Sequence, residues 1–251
     1  MRKIVFIICV LSVVACSRGG RSERGQSSRR PTTTQTRTPR SKPIETQPIA
    51  TNERPKIVAQ KTNNGEMTGA DIFEKYNTAV FTVFTQDNYY THQGSGFFIS
   101  SDGLAVSNYH VFKGTHKGRA QIKTSDGKYI DVGDVVAYSD GDDIFIFRVQ
   151  ASGKTFNYIP ISNKGVRVGE KAYAIGSPKG LENTFSSGEI SQLREGYIQI
   201  SVPIDHGSSG GVLLNAYGEA IGITTAGRDD SGANLNFAVD IQVLRKYVDV
   251  R

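Results

Sequence analysis

The chain has 251 residues, of which 37% are hydrophobic and 22% charged, so it is long enough to bury a core without covalent cross-links. Both cysteines lie within the first sixteen residues, which excludes a disulfide framework or a cysteine-based zinc site elsewhere. Residues 17–65 have eleven Lys or Arg and three Asp or Glu, a net charge of +8, and Arg2 and Lys3 add +2. Because the whole chain carries +6, residues 66–251 carry about −4. Nucleic-acid binding by that region is therefore not expected.

The first sixteen residues have the form of a lipoprotein signal peptide. Positive charges at the amino terminus precede an apolar run at 4–15 that is too short to span a bilayer. Val13-Val14-Ala15-Cys16 resembles a bacterial lipobox, with Val13 where leucine is usual. We expect export and lipid modification of Cys16, with the protein anchored in the cell envelope and facing the periplasm or the surface. The alternatives are an ordinary signal cleaved after Ala15 and an incidental cysteine at position 16.

The segment 17–67 is rich in Ser, Thr, Pro and Arg and predicts a disordered basic tether. It has almost no large apolar side chains, so it cannot bury enough surface to fold. Its flexible reach is roughly 40 Å. A basic segment beside a lipid anchor can lie along an anionic membrane or remain solvated, and the sequence leaves both open.

Short apolar runs separated by Gly, Asp and Asn turns occupy the chain from residue 68 onward. They predict a short helix and then strands, at 69–77 and at 79–85, 94–99, 104–111, 144–149, 171–175, 197–202 and 219–224. Such a series indicates an antiparallel barrel or sandwich. The stretch 240–250 has apolar residues at helical spacing behind Asp240 as a candidate N-cap, which predicts a C-terminal helix.

Three polar residues in these runs are candidates for nucleophilic catalysis. Ser209 lies in the glycine-rich segment 207–211, where a hydroxyl is open to approach and N–H groups can bind a developing oxyanion. His110 falls at the predicted end of a strand, and Asp143, better placed than its neighbour Asp142, directly precedes a buried strand. Taken singly, each fits a plain turn or surface position. The order His, Asp, Ser is that of the chymotrypsin arrangement and favours a catalytic triad.

The chain from about residue 69 to residue 248 resembles trypsin-like serine peptidases of the HtrA/DegP type. Matching segments in the family's order are 70–76, 94–110, Asp143-Ile144 with its strand, 167–170 leading to 174–178, 187–191, 207–211, 218–223 and 237–239. The resemblance implies an all-β, chymotrypsin-like fold at 68–251, with six-stranded antiparallel barrels at about 79–150 and 158–240. It implies a serine endopeptidase with His110, Asp143 and Ser209 as its triad and the N–H groups of Gly207 and Ser209 as its oxyanion hole.

The resemblance also predicts the primary substrate pocket. Its residues are Val202, Pro203, Ile204, Asp205, Thr224, Thr225, Ala226 and Asn236, with His206 at the rim. Pro203 stands where trypsin has the acid that selects Arg or Lys, and Thr224 where glutamyl endopeptidases have a histidine. We therefore expect cleavage after small or medium uncharged residues such as Ala, Val or Thr. Ser208 replaces the aspartate of trypsin-like zymogens, so activation by a newly cut N-terminus is not expected.

The expected partners are protein or peptide substrates and, through Cys16, the membrane. No cofactor or metal is expected, since 176–180 lacks the spacing of a phosphate-binding loop. No PDZ domain is expected after the peptidase, and the oligomeric state is left open. Two alternatives are an inactive protease-fold scaffold that binds peptides at the cell envelope and an adhesin or structural lipoprotein. The complete triad argues against both, and hydrolysis of casein would separate them from a peptidase.

Overall fold

The structure, a computed structural model, describes residues 54–57, 65–116, 118–150, 153–177, 183–225 and 235–250. The signal segment, most of the predicted tether, Cys16 and Ala226 lie outside these residues. In chain order the elements are β1 (Lys56–Ile57), α1 (Gly69–Tyr76), a 3-10 helix (Asn77–Ala79), β2 (Val80–Gln86), β3 (Thr91–Phe98), β4 (Leu104–Ser107), α2 (Tyr109–Phe112), β5 (Ala120–Lys123), β6 (Tyr129–Ser139), β7 (Ile144–Val149), β8 (Lys171–Gly176), β9 (Thr184–Arg194), β10 (Tyr197–Ile200), β11 (Val212–Leu214), β12 (Ala220–Thr225), β13 (Asn236–Asp240), a 3-10 helix (Ile241–Lys246) and β14 (Asp249–Val250).

Two closed antiparallel barrels form the body of the molecule. The first has the strand order β2-β3-β4-β7-β6-β5 and the second β10-β13-β12-β11-β8-β9. The predicted all-β, double six-stranded architecture is confirmed. β1 and β14 pair in parallel outside the barrels, so part of the segment predicted as a tether contacts the end of the chain.

Aromatic side chains fill the first barrel. Phe81, Phe98, Phe145 and Phe147 are each at most 2% exposed and pack in one cluster. Phe112, from α2, stacks on Phe145 with ring centroids 4.0 Å apart. Buried aromatic rings supply much of the apolar area that stabilises a core. The stacking contact therefore fixes α2 against the barrel wall.

A second apolar cluster joins the two barrels. It includes Ile72 of α1, Val106 and Ile146 of the first barrel, Val212 of the second barrel and Leu244 near the C-terminus, each at most 1% exposed. Protein interiors pack as tightly as organic crystals, so such a cluster resists sliding of one part over another. The cluster therefore holds the two barrels against each other.

The two predicted terminal helices are present, and the second differs in detail. α1 begins with a capping box in which Thr68 and Asp71 each bond to the other's backbone N–H. The C-terminal element is a 3-10 helix, capped by the Asp240 carboxylate, that ends at Lys246 and not near residue 250. Pairing of Asp249–Val250 with β1 requires extended backbone there, which ends the helix early. Within the described residues, no helix is long and apolar enough to cross a membrane.

Candidate active site

His110 lies in α2 and not at the end of a strand as the sequence predicts. β4 ends at Ser107, and a single helical turn follows. Residues two positions apart on a helix point to roughly opposite sides. Phe112 is buried in the first barrel, whereas the His110 side chain is 45% exposed. Anchoring of the aromatic ring thus presents the imidazole to solvent.

His110 and Asp143 form a close pair. His110 Nδ1 lies 2.9 Å from Asp143 Oδ2, and the backbone N–H of His110 donates to Asp143 Oδ1 at 3.0 Å. An ionised carboxylate can only accept hydrogen bonds, so Nδ1 carries the proton and Nε2 of the neutral ring is left as an acceptor. The Asp143 side chain is 18% exposed, which limits screening by water. The arrangement suits a general base.

Asp143 has an unusual backbone conformation. Its φ of +49° is the only positive value at a non-glycine residue in the described part of the chain. Aspartate tolerates this left-handed region better than most residues do. The buried Asn108 donates from Nδ2 to the Asp143 carbonyl at 3.0 Å, which helps to hold the turn. Strain of this kind is concentrated at functional sites.

Asp142, the neighbouring acid, contacts a different part of the molecule. Its carboxylate accepts hydrogen bonds from Lys246 Nζ at 3.0 Å and from the Tyr247 hydroxyl at 2.7 Å. Burial of the carboxyl opposes ionisation, but the bonds from Tyr247 and Lys246 and the charge of Lys246 outweigh it, so the pKa of Asp142 is lowered. Asp142 therefore ties the turn before β7 to the C-terminal 3-10 helix.

Ser209 lies in a loop whose peptide groups are held from several sides. The Ser209 carbonyl accepts from the Ser95 N–H at 2.7 Å, and the Ser208 carbonyl accepts from Thr224 Oγ1 at 2.7 Å. Gly210 has a φ of +88°, and a side chain there would overlap the Ser95 carbonyl. Only glycine fits this position, which explains part of the glycine-rich motif.

Gly207 precedes Ser208 and adopts a φ of +95°, which again favours glycine. Its carbonyl accepts from Ser95 Oγ at 2.8 Å. Within the described residues, its N–H has no protein acceptor. An N–H of this kind is suited to bind an anionic oxygen.

Gly94, on β3, brings the two halves of the site together. A Cβ atom at this position would lie 2.7 Å from the Val111 side chain and 3.1 Å from the Ser209 carbonyl. Val111 is the residue next to His110, so the helix that carries the imidazole and the serine loop meet across this glycine. The absence of a side chain at Gly94 permits their close approach.

The residues predicted to form a substrate pocket are only partly brought together. A cavity of about 110 Å³ is lined by Pro203, Ile204, Asp205 and Thr224 of that set and also by Ala174, Ile175, Gly176, Thr184, Ser186 and Ser208. Val202, His206, Thr225 and Asn236 do not line it. Val202 is fully buried and His206 is exposed. Asn236 donates from Nδ2 to the Val202 carbonyl at 2.9 Å, and Ala226 lies outside the described residues.

Three polar residues at the site have no role in the sequence analysis: Ser95, Asn108 and Asp142. Ser95 bonds to the loop that carries Ser209, and Asn108 bonds to the carbonyl of Asp143. Asp142 joins the turn before β7 to the C-terminal segment. A serine between two glycines inside a strand was one available signal, because glycine in a strand marks close approach of another backbone. The partners of Asn108 and Asp142 lie too far along the chain for a local pattern to reveal them.

Comparison with known proteins shows which family this chain resembles. A family model described as trypsin-like peptidase domain matches residues 94–223. Serine protease HTRA1 of Xenopus tropicalis is 33% identical over 71% of this chain and 42% of its own length. The probable periplasmic serine endoprotease DegP-like of Rhizobium meliloti is 34% identical over 62% of this chain and 32% of its own length.

A solved structure agrees with the sequence relatives. The crystal structure of the serine endoprotease from Yersinia pestis superposes with a TM-score of 0.64 and 25% identity, covering 73% of this chain and 66% of that one. The chain spans less than half the length of the two curated relatives. Because the family model covers more than half of the chain, the chain belongs to the trypsin-like peptidase family, with HtrA/DegP proteases as its relatives.

Proposed function

We propose that the protein is a serine endopeptidase that uses Ser209 as nucleophile, His110 as general base and Asp143 as the group that orients the base. The observation that carries the proposal is the bond from His110 Nδ1 to Asp143, which leaves Nε2 as a proton acceptor. The approach of the His110 helix and the Ser209 loop across Gly94 supports it. Membership in the trypsin-like peptidase family supports it independently.

The reaction has two halves. Ser209 Oγ attacks the peptide carbonyl carbon while His110 Nε2 takes the hydroxyl proton, and the Gly207 and Ser209 N–H groups bind the resulting oxyanion. The C–N bond then breaks, and the protonated imidazole gives its proton to the leaving amine. Water attacks the acyl ester with His110 again as base, which releases the carboxylic acid and restores Ser209. Asp143 stabilises the imidazolium in both halves.

The proposed cleavage site follows a small or medium uncharged residue. Pro203 and Thr224 lack the charged or imidazole groups that would select basic or acidic side chains. Asn236 donates a hydrogen bond to the Val202 carbonyl and so supports the segment that continues into the cavity-lining residues Pro203, Ile204 and Asp205. A peptide library cleaved mainly after Arg, Lys or Glu would contradict this preference.

We also propose that the enzyme is exported and anchored to the cell envelope through a lipid on Cys16, where it acts on envelope or extracellular proteins. The signal-like segment ending at Cys16 supports this location. The name of the Rhizobium meliloti relative describes that protein as a probable periplasmic enzyme. A flexible tether would let the peptidase reach substrates roughly 40 Å from its anchor.

Covalent labelling tests the catalytic proposal. Wild-type protein should react with a fluorophosphonate, and tandem mass spectrometry should locate the adduct on Ser209 and not on the adjacent Ser208. Ser209→Ala should abolish both labelling and hydrolysis of casein. Ser162→Ala serves as the control, since Ser162 is a buried, hydrogen-bonded serine in the segment that precedes β8. If Ser209→Ala labels like the wild type, the proposed nucleophile is wrong; peptide binding without hydrolysis would instead favour the scaffold.

A further inference from the structure

Ser95 links the first barrel to the loop that carries Ser209. It lies on β3, is fully buried, and has partners on the second barrel for both its backbone and its side chain. Its N–H donates to the Ser209 carbonyl at 2.7 Å, and its Oγ donates to the Gly207 carbonyl at 2.8 Å. Gly207 and Ser209 are the residues whose N–H groups are proposed to bind the oxyanion, and the carbonyls of both are held by Ser95.

The peptide group between Gly207 and Ser208 is fixed at both ends. Its carbonyl accepts from Ser95 Oγ, and its N–H donates to the Asp205 carbonyl at 3.0 Å. The next peptide is held through the Ser208 carbonyl, which accepts from both Thr224 Oγ1 and a backbone N–H. Among the described residues, Ser95 Oγ is the only donor to the Gly207 carbonyl. This carbonyl has no second restraint of the kind that the Ser208 carbonyl has.

The direction of the Ser95 hydroxyl is set by a third segment. Ser177, just after β8, donates its N–H to Ser95 Oγ at 2.8 Å. Its carbonyl accepts from Gln93 Nε2 at 3.0 Å, so both backbone polar groups of Ser177 are bound to β3. A hydroxyl has one proton, and an Oγ that accepts from Ser177 is left to donate that proton to Gly207. The result is a directed chain from Ser177 through Ser95 to Gly207.

We infer that Ser95 is a positioning residue that sets the orientation of the Gly207 N–H and so assembles the oxyanion hole from the first barrel. Glycine rotates freely about φ and ψ, so nothing intrinsic to Gly207 directs its N–H at the substrate. Fixing the following peptide plane and the φ of +95° determines that direction. This inference rests on the proposed peptidase function. Ser95 touches neither the substrate nor the reacting atoms; it acts through Gly207.

Replacement of Ser95 by alanine separates this role from general packing. Ser95→Ala keeps the backbone bond to the Ser209 carbonyl and loses only the bonds of Oγ. We expect kcat on a peptide substrate to fall about 10²-fold or more with KM nearly unchanged, since oxyanion stabilisation acts on the transition state. The inhibition constant of a peptide aldehyde, whose adduct with Ser209 carries an oxyanion, should rise by a similar factor. Both are measured on the full chain.

Two further variants complete the test. Ser162→Ala removes a buried, hydrogen-bonded hydroxyl in the segment before β8 and should leave both constants at wild-type values. Ser95→Cys keeps the side-chain shape with a weak S–H donor and should give values between those of serine and alanine. If Ser95→Ala does not fold, the cysteine variant decides. An active wild type with unchanged kcat and aldehyde affinity in the Ser95 variants overturns the inference, whereas an inactive wild type overturns the proposed function.

Discussion

Asp142 and Asp143 are adjacent in the chain and carry the same functional group, yet their surroundings give them different tasks. Asp143 points its carboxylate at His110 and is held in a left-handed conformation by Asn108. Asp142 points at Lys246 and Tyr247 of the C-terminal segment. The left-handed backbone at Asp143 lets the two neighbouring carboxylates face different partners. Substitution of each aspartate should therefore affect a different property.

Asp143→Asn should remove activity and leave the fold intact. An amide that donates to Nδ1 forces the imidazole proton onto Nε2. A protonated Nε2 cannot accept the Ser209 proton, so kcat should fall about 10⁴-fold. Asparagine tolerates a φ of +49° as well as aspartate does, so the melting temperature should stay close to that of the wild type. Asp134→Asn, on the exposed surface of β6, is the control with full activity. A variant with more than a tenth of wild-type kcat would exclude Asp143 as the orienting group.

The sequence predicts the residues of the proposed triad better than the residues that hold them in position. A triad needs particular residue types, and the chain order of His110, Asp143 and Ser209 could be read without coordinates; the first two are hydrogen bonded in the structure. Ser95 could not be assigned in this way, because its contact with Gly207 joins residues 112 positions apart. Such contacts depend on how the barrels pack, and no local pattern encodes that packing.

At the level of elements, Asp142 joins the β6–β7 turn of the first barrel to the 3-10 helix that follows the second. Its side chain is 25% exposed, whereas Lys246 is 60% exposed, so the Tyr247 hydroxyl is the better shielded partner. The hydrogen bonds from these two groups lower the pKa of Asp142 despite its partial burial. A lowered pKa means that the ionised form of Asp142 is more stable, relative to its protonated form, in the folded state than in the unfolded state. The contribution of these bonds to the stability of the fold therefore depends on pH.

Asp142→Asn should reduce stability at neutral pH and not in acid. We expect a loss of about 1 kcal/mol, or about 3 °C in melting temperature, at pH 7. The wild-type advantage is present above the ordinary pKa of 3.8 and is lost as pH falls through the lower pKa of the folded state. Thermal melts from pH 7 down to pH 2.5 measure it. Asp140→Asn breaks only the exposed pair with Lys113 and should change little. An equal deficit at both ends of the pH range would rule out the ionised bond.

Strand positions were predictable, whereas the ends of elements were not. Alternating and continuous apolar runs identify β2, β7, β8 and β12 to within a residue or two. The chain after β4 turns into α2 because Phe112 packs on Phe145, a contact made across 33 residues. The C-terminal helix stops at Lys246 because Asp249 and Val250 pair with β1. Each departure comes from a tertiary contact that overrides local preference.

At the level of the whole molecule, the two ends of the described chain lie together. β1 pairs with β14, and Ile57 of β1 is 3% exposed within the apolar cluster that joins the barrels. The site lies where segments of both barrels meet, at β3, α2 and the Ser209 loop. The β1–β14 pair therefore attaches residues 56–57 of the predicted tether to the body of the protein.

The proposed lipid anchor can be tested by substituting each of the two cysteines in turn. Cys16→Ser removes the sulfur that would carry the lipid, whereas Cys9→Ser changes a residue inside the apolar run and should be neutral. In detergent phase partitioning of cells expressing the full chain, wild-type protein and Cys9→Ser should enter the detergent phase. Cys16→Ser should stay in the aqueous phase or remain unprocessed, because a single hydroxyl cannot accept the thioether-linked lipid. In metabolic labelling with a radioactive fatty acid, wild-type protein and Cys9→Ser should be labelled and Cys16→Ser should not. Detergent partitioning and labelling of Cys16→Ser equal to wild type would place the membrane attachment elsewhere in the chain.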